Sequence, residues 1–236
     1  MNFVLVHGAS HGGWCWKWLA PELRKAGHEV YVTTQTGLGE RRHLASPEIS
    51  LETHVMDIAN VITYEDLRDV VLVGHSNGGV IISKVAEAVP DRLKKLIYLA
   101  ALVLVDGETV REVSSKQPWT TQHRVTDEKA GTVGVDPKVS ASIQCHDGTP
   151  EQIAWVAERI TPHPLRPRTE KVDLKKFYAL SIPKEYIICK DDHALPREVT
   201  ETFARRLGVL PHYIDGGHDV MVTHPKELAQ LLHRLA

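Results

Sequence analysis

Residues 70–82 read Val70-Val71-Leu72-Val73-Gly74-His75-Ser76-Asn77-Gly78-Gly79-Val80-Ile81-Ile82, and no other stretch limits the fold so tightly. Val70–Val73 is an apolar run without polar alternation, the pattern of a parallel strand covered on both faces. An apolar helical segment follows almost at once. So short a link between strand and helix requires a sharp turn, and the glycines of Gly74-His75-Ser76-Asn77-Gly78 remove the Cβ atoms that would collide there. Such a turn holds its central residue in a strained conformation with the hydroxyl exposed. The helix N-terminus behind it adds positive potential where an oxyanion would form. In this setting Ser76 is a candidate nucleophile; the same five residues elsewhere would be an ordinary turn.

The remaining chain supplies the sheet this turn needs. Phe3–Val6, Glu29–Thr33, Lys95–Leu99, Glu185–Ile188 and His212–Ile214 are further short strand-like runs. Helical patterns lie between them: Leu51, Val55, Ile58 and Ile62 repeat at helical spacing, as do Leu228, Leu231, Leu232 and Leu235, with Pro225 where a first turn tolerates it. Strand and helix alternating over most of the chain predict an open α/β sheet. The rhythm breaks at about residues 106–182, which contain no convincing strand, a helical stretch at Glu151–Ile160 and the proline-rich Pro162–Pro167. That is too long for a plain connection. A single domain of residues 1–236 is expected, its core formed by 1–105 and 183–236, with an inserted helical cap at 106–182.

Charge and cysteine content narrow the function classes. A net charge of −2, from 28 basic and 30 acidic residues, leaves no electrostatic footprint for nucleic acid or an anionic membrane. Cys15, Cys145 and Cys189 are odd in number and widely spaced, fitting neither a disulfide framework nor a zinc site, so a reducing compartment is expected. With no basic leader or long apolar run at the start, a cytoplasmic protein is the expectation.

A nucleophilic serine needs a base, a group to orient that base, and donors for the oxyanion. His7-Gly8-Ala9-Ser10-His11-Gly12-Gly13-Trp14 directly follows the first strand and should emerge at the same sheet edge as Ser76, so the N–H groups of Ala9 and Asn77 are candidate oxyanion donors. His218 follows the last strand. Asp191 and Asp192 follow the strand before it. Both places are carboxyl ends of strands, where open α/β sheets put their sites. The other histidines, among them His7, His11, His75, His193 and His224, are better read as loop or packing residues.

The chain resembles an α/β-hydrolase of the group that holds plant methylesterases, hydroxynitrile lyases and bacterial esterases such as pyrethroid hydrolase. Carrying the resemblance are Phe3–Ala9, His11-Gly12-Gly13-Trp14, Gly74-His75-Ser76, the Cys189–Asp192 region and Gly216-Gly217-His218. Gly37–Leu44 is similar to a loop of bacterial members. The resemblance implies a six-stranded, mostly parallel core, a catalytic Ser76, Asp192 and His218, and oxyanion donors at Ala9 and Asn77. Setting Leu195-Pro196 against the family's similar downstream turn favours Asp192 over Asp191. Asn77 departs from relatives that carry a larger apolar residue or tyrosine after the serine.

Hydrolysis of a small apolar or aromatic carboxylic ester through an acyl-enzyme is the leading expectation, with no metal or organic cofactor. Carbamate or amide hydrolysis would use the same residues. Hydroxynitrile lyases have a threonine and a lysine where this chain has Gly8 and Asp219, so cyanide would find no cation here. A non-catalytic ligand receptor is the third class, since fold alone does not fix function. Trp119, Ile143, Trp155, Val220 and Met221 are candidates to line an apolar substrate cavity; the tryptophans would equally serve to anchor the cap.

Overall fold

The computed structural model describes residues 1–115 and 123–236; Trp119 falls outside them. In chain order the first half contains β1 (Asn2–Val6), α1 (Leu19–Lys25), β2 (Glu29–Val32), α2 (Leu51–Tyr64), β3 (Val70–His75), α3 (Gly78–Ala88) and β4 (Leu93–Leu99). The middle segment adds α4 (Val110–Ser114), β5 (Arg124–Asp127), β6 (Thr132–Val135), α5 (Pro137–Gln144), α6 (Pro150–Ala157), β7 (His163–Pro164), α7 (Arg166–Thr169) and α8 (Lys175–Tyr178). The chain then returns through β8 (Lys184–Cys189), α9 (Arg197–Leu207), β9 (His212–Ile214), α10 (Val220–Thr223) and α11 (Pro225–Leu235).

Six strands form one sheet in the order β2-β1-β3-β4-β8-β9, every neighbouring pair parallel. The strand order reverses direction between β1 and β3, which opens a crevice at their carboxyl ends. Alternation of side chains explains why the strands read as unbroken apolar runs. Val4, Val6 and Leu72 point to the face covered by α2 and α3, where they meet Val55, Ile58, Ile81 and Val85. Phe3, Leu5, Val71 and Val73 point to the opposite face, against Leu19 and Leu23 of α1 and Leu228 and Leu232 of α11. All of these strand residues are fully buried, each contributing roughly 1.5–3 kcal/mol by leaving water. The helices start where local chemistry allows: Ser50 and Thr53 form a reciprocal capping box for α2, and Pro225 occupies the first turn of α11.

The middle segment corrects one expectation. It is not purely helical: β5, β6 and β7 form an antiparallel three-stranded sheet. These strands span two to four residues, and β5 is largely exposed, so they lack the apolar runs that mark the main sheet. The helix expected at Glu151–Ile160 is present as α6, with Val156 buried against the α1 face. Hydrogen bonds tie this segment to the main sheet's loops. Thr161 N–H donates to the Ser10 carbonyl at 3.0 Å, and Asp219 N–H donates to the Gln144 carbonyl at 2.8 Å. Among the described residues no helix is long and apolar enough to cross a membrane.

Leu72 lies at the centre of the sheet with α2 and α3 packed over it. Truncation by Leu72→Ala is expected to cost about 2–5 kcal/mol, from lost transfer energy and the cavity left behind. Urea denaturation should show a lower midpoint at an unchanged slope; a loss below about 1 kcal/mol would contradict this packing.

Candidate active site

Pairing of β1 with β3 sets Val6 opposite Gly74, so the chain leaving β1 runs directly beside the turn leaving β3. The approach is close: a Cβ on Gly8 would lie 2.8 Å from Ser76 Cβ, and one on Gly78 would lie 2.7 Å from the Val6 carbonyl oxygen. Ser76 itself has φ of +50°, a conformation that is costly for a residue with a side chain. Hydrogen bonds hold it there. Ser76 N–H donates to the Leu99 carbonyl at 3.1 Å, while the Ser76 carbonyl accepts from Gly79 N–H at 3.1 Å and Leu102 N–H at 2.9 Å. Asn77 then occupies the N-cap position of α3, its side chain making no capping hydrogen bond, and the helix begins at Gly78.

The Gly8–Ala9 peptide is aimed by His7. Burial holds the His7 pKa down to about 3, so the ring is neutral; its Nδ1–H donates to the Gly8 carbonyl at 2.8 Å and its Nε2 accepts from Gln35 N–H at 3.1 Å. In a trans peptide C=O and N–H point in opposite directions. Anchoring the Gly8 carbonyl to His7 therefore turns the Ala9 N–H away from that ring. Among the described residues no protein acceptor takes the N–H of Ala9 or Asn77, and both residues line the same cavity as Ser76.

His218 also lines that cavity. Its Nδ1 lies 2.7 Å from Asp192 Oδ2, and the other carboxylate oxygen of Asp192 accepts the N–H groups of Ala194 and Leu195, each at 2.8 Å. Asp191, the alternative left by the sequence, is exposed, its N–H spent on the Gly216 carbonyl. Burial pushes the His218 pKa down, but the Asp192 charge and hydrogen bond, with Asp219 behind them, outweigh it and leave the imidazole above its ordinary value.

A second buried network, not foreseen from the sequence, supports this one. Asp219 is fully buried and its Oδ2 lies 3.1 Å from His11 Nε2, while His11 Nδ1 bonds the Ala9 carbonyl at 2.8 Å. Burial pushes the Asp219 carboxyl up, yet His11 above all, with His75 and His218, holds it down at about 2. Burial, followed by His218, keeps His75 well below its ordinary value, so its neutral ring donates from Nε2 to the His218 carbonyl at 3.1 Å. Thus His7, His11 and His75 position the turn beside Ser76 and the backbone of His218. The available signal was their place, each within two residues of a group already assigned to the site. His193 stacks on His146 and His224 sits by Asp147, both away from the cavity.

The cavity is partly open to solvent and encloses about 90 Å³, room for a small ligand. Its lining differs from the sequence expectation. Val220 and Met221 are fully buried beneath the site in the α1-side core, because α10 turns inward after Asp219. Trp155 lies between Trp14 and Trp18, with Arg159 over its ring at 4.3 Å; it anchors α6 to the loop after β1. Ile143 is likewise outside the lining, where Gln144 of the same helix faces the cavity. Leu102, Val133, Val135 and Leu195 provide the apolar wall, while Arg124, Arg168 and His163 provide a polar one. Arg41 bonds the Thr34 carbonyl and Asp57.

A serine on a strained strand-to-helix turn, a histidine and aspartate on later strand ends, and an all-parallel sheet define a class of folds. The chain belongs to the alpha/beta hydrolase family, whose match spans residues 3–231. It is similar to a carbendazim hydrolyzing esterase of Nocardioides sp. (strain SG-4G), at 34% identity over 99% of each chain. It is also similar to the solved structure of an extracellular alpha/beta-hydrolase from a Paenibacillus species, described as sharing structural and functional homology with tobacco salicylic acid binding protein 2; identity is 29%, coverage 99% and 98%, and TM-score 0.84. A pyrethroid hydrolase from Sphingobium faniae shares the fold, with a TM-score of 0.83 at 21% identity and coverage of 100% of this chain and 96% of the other.

The geometry makes His218 titration the direct readout of its carboxylate partner. By NMR, the His218 ring should titrate above the ordinary imidazole value of about 6.5. Asp192→Asn should move it downward, because burial then acts against a weaker opposing charge. Asp191→Asn should leave it within a few tenths of a unit. Equal shifts in the two variants would show that the exposed carboxylate acts on the ring after all.

Proposed function

We propose that this chain is a serine hydrolase that cleaves a small carboxylic ester through a covalent acyl-enzyme. The observation that carries the reading is the shared cavity of strained Ser76 and His218, with Asp192 at 2.7 Å behind the imidazole. Ser76 Oγ attacks the ester carbonyl carbon as its proton passes to His218 Nε2. The oxyanion forms against the N–H groups of Ala9 and Asn77, each such donor being worth about 2.7–4 kcal/mol in acyl transfer. The tetrahedral species collapses, and the alcohol leaves with the proton from His218. Water then adds to the acyl carbon, giving its proton to His218, and the acid departs as that proton returns to Ser76. Asp192 fixes the tautomer with Nδ1 protonated and stabilises the imidazolium.

Carbamate hydrolysis by the same residues is a second reading, supported by the likeness to an esterase named for carbendazim, itself a carbamate. A lyase reading is disfavoured by Asp219, whose ionised carboxylate stands where a cation would be needed for cyanide. In this scheme residues 1–105 and 183–236 supply the catalytic core, and 106–182 act as the cap that closes the cavity. A small-molecule partner and a reducing, cytoplasmic setting fit the three buried cysteine thiols, none of them in a disulfide.

Ser76→Ala is expected to lower kcat on p-nitrophenyl acetate by about three orders of magnitude or more with the melting temperature little changed. Wild-type protein should release a burst of p-nitrophenol equal to the enzyme concentration if deacylation is slow. Retention of over a tenth of the activity would remove Ser76 from the mechanism. The base must be neutral to accept a proton, so kcat/KM should fall as pH drops through the raised His218 pKa. That places the acid limb above pH 6.5, and a flat profile between pH 5 and 8 would exclude a histidine base.

A further inference from the structure

The polar part of the cavity lining combines cations with neutral polar side chains. No aspartate or glutamate is among its lining residues, whereas Arg124 and Arg168 both are. Arg168, on α7, has one recorded protein partner among the described residues, Ser114 Oγ at 3.1 Å, although a guanidinium offers five N–H donors. Neither arginine forms an ion pair among the described residues, and residues 116–122 contain no acidic side chain. Burial and then the neighbouring Arg124 hold the Arg168 pKa down to about 10, which still leaves it cationic at neutral pH. His163 completes the wall. Its Nδ1 accepts from Ser10 N–H at 3.3 Å, so the neutral ring carries its proton on Nε2, a buried atom with no protein partner.

Buried charge without a counter-ion is costly, and buried donors are normally satisfied. The half-buried Arg168 and the more exposed Arg124, neither with a carboxylate partner among the described residues, share one cavity wall with the buried, unpartnered His163 Nε2, an arrangement that suits an anion from outside. Resting on the ester-hydrolase reading, we propose that the substrate is an ester that also bears a carboxylate, seated on Arg168 and Arg124 with His163 Nε2–H as a further donor. The guanidinium fork suits the two oxygens of a carboxylate. Leu102, Val133 and Leu195 face the intervening carbons. Ser10 joins the two ends of the site: its N–H is held by His163 while its neighbour Ala9 offers an N–H at the reacting end.

Two matched pairs of esters test this, one with the charge on the acyl side and one on the alcohol side. They are mono-p-nitrophenyl glutarate against p-nitrophenyl pentanoate, and 4-acetoxybenzoate against 4-methylphenyl acetate. In at least one pair kcat/KM should favour the anionic ester by about ten- to hundredfold, the weight of one or two charge-assisted hydrogen bonds. Arg168→Gln and Arg124→Gln should each reduce that ratio by about tenfold, with Arg168→Lys retaining part of it. Turnover of the neutral esters, abolished by Ser76→Ala, with no preference in either pair overturns the anion site and leaves the hydrolase reading intact. If no ester is cleaved in a Ser76-dependent way, the hydrolase reading fails instead. Calorimetry of glutarate with the wild-type protein then decides the site alone: binding that Arg124→Gln weakens about tenfold upholds it, and no binding at millimolar glutarate overturns it.

Discussion

Everything at the catalytic edge depends on the parallel pairing of β1 with β3. With Val6 opposite Gly74, the backbone after β1 is delivered against Ser76 at a separation that only glycine at position 8 tolerates. Slippage of this pairing by one residue would exchange the two faces of β1. Val4 and Val6 would then meet the α1 side, and Phe3 and Leu5 the α2 side. The same apolar alternation that drives folding thus fixes the relative position of Ser76 and the Ala9 peptide. No separate interaction is needed to bring them together; their fine orientation falls to His7, which holds the Gly8 carbonyl.

Around that frame, the buried histidines divide by what their partners accept. His7 and His75 are kept neutral by burial, so each uses one ring nitrogen to hold a backbone carbonyl. His218 sits against two carboxylates and is lifted above its ordinary value. His11 lies between a carbonyl and Asp219, both of which accept hydrogen bonds. Similar side chains therefore do different work within one small volume because the carboxylates are unequally distributed among them. The high histidine content of the chain, 14 residues, is partly explained by this use of imidazole as a rigid, buried backbone clamp, and no metal chemistry is needed to account for it.

How much of this was legible in the sequence follows from range of interaction. The six main strands, the strained turn at Ser76 and the strand-end positions of Asp192 and His218 were readable, because each is encoded within a few residues or by order along the chain. Asp191 and Asp192 are adjacent, and in the sequence only the resemblance at Leu195-Pro196 favoured Asp192; in space the direction of the chain leaving β8 separates them. The cavity wall was misread for a different reason. Aromatic and apolar residues such as Trp155 and Met221 were assigned to the pocket on hydrophobicity, yet hydrophobicity alone cannot distinguish a ligand wall from a core. The residues that do face the cavity, Arg168 and His163, come from a segment with strands of two to four residues and no periodic signal to set their direction. Trp119 lies outside the described residues.

The polar wall and the catalytic edge also impose related costs on the fold. Ser76 at positive φ is strained by roughly 1–3 kcal/mol, and Arg168 is half-buried with no carboxylate partner among the described residues. Two apolar layers on a fully covered sheet offset both, which is why the strain sits immediately beyond strands whose side chains are wholly buried. The compensation has a directional consequence. The conformation of Ser76 is held by the sheet through its hydrogen bonds with Leu99 and Leu102. The charge on the Arg168 wall is relieved only when an anion arrives, so the cost of that wall in the free protein becomes discrimination among ligands. In the proposed reading one part of the cavity serves chemistry and another selection, and the short link from Ala9 through Ser10 to His163 makes them parts of a single site.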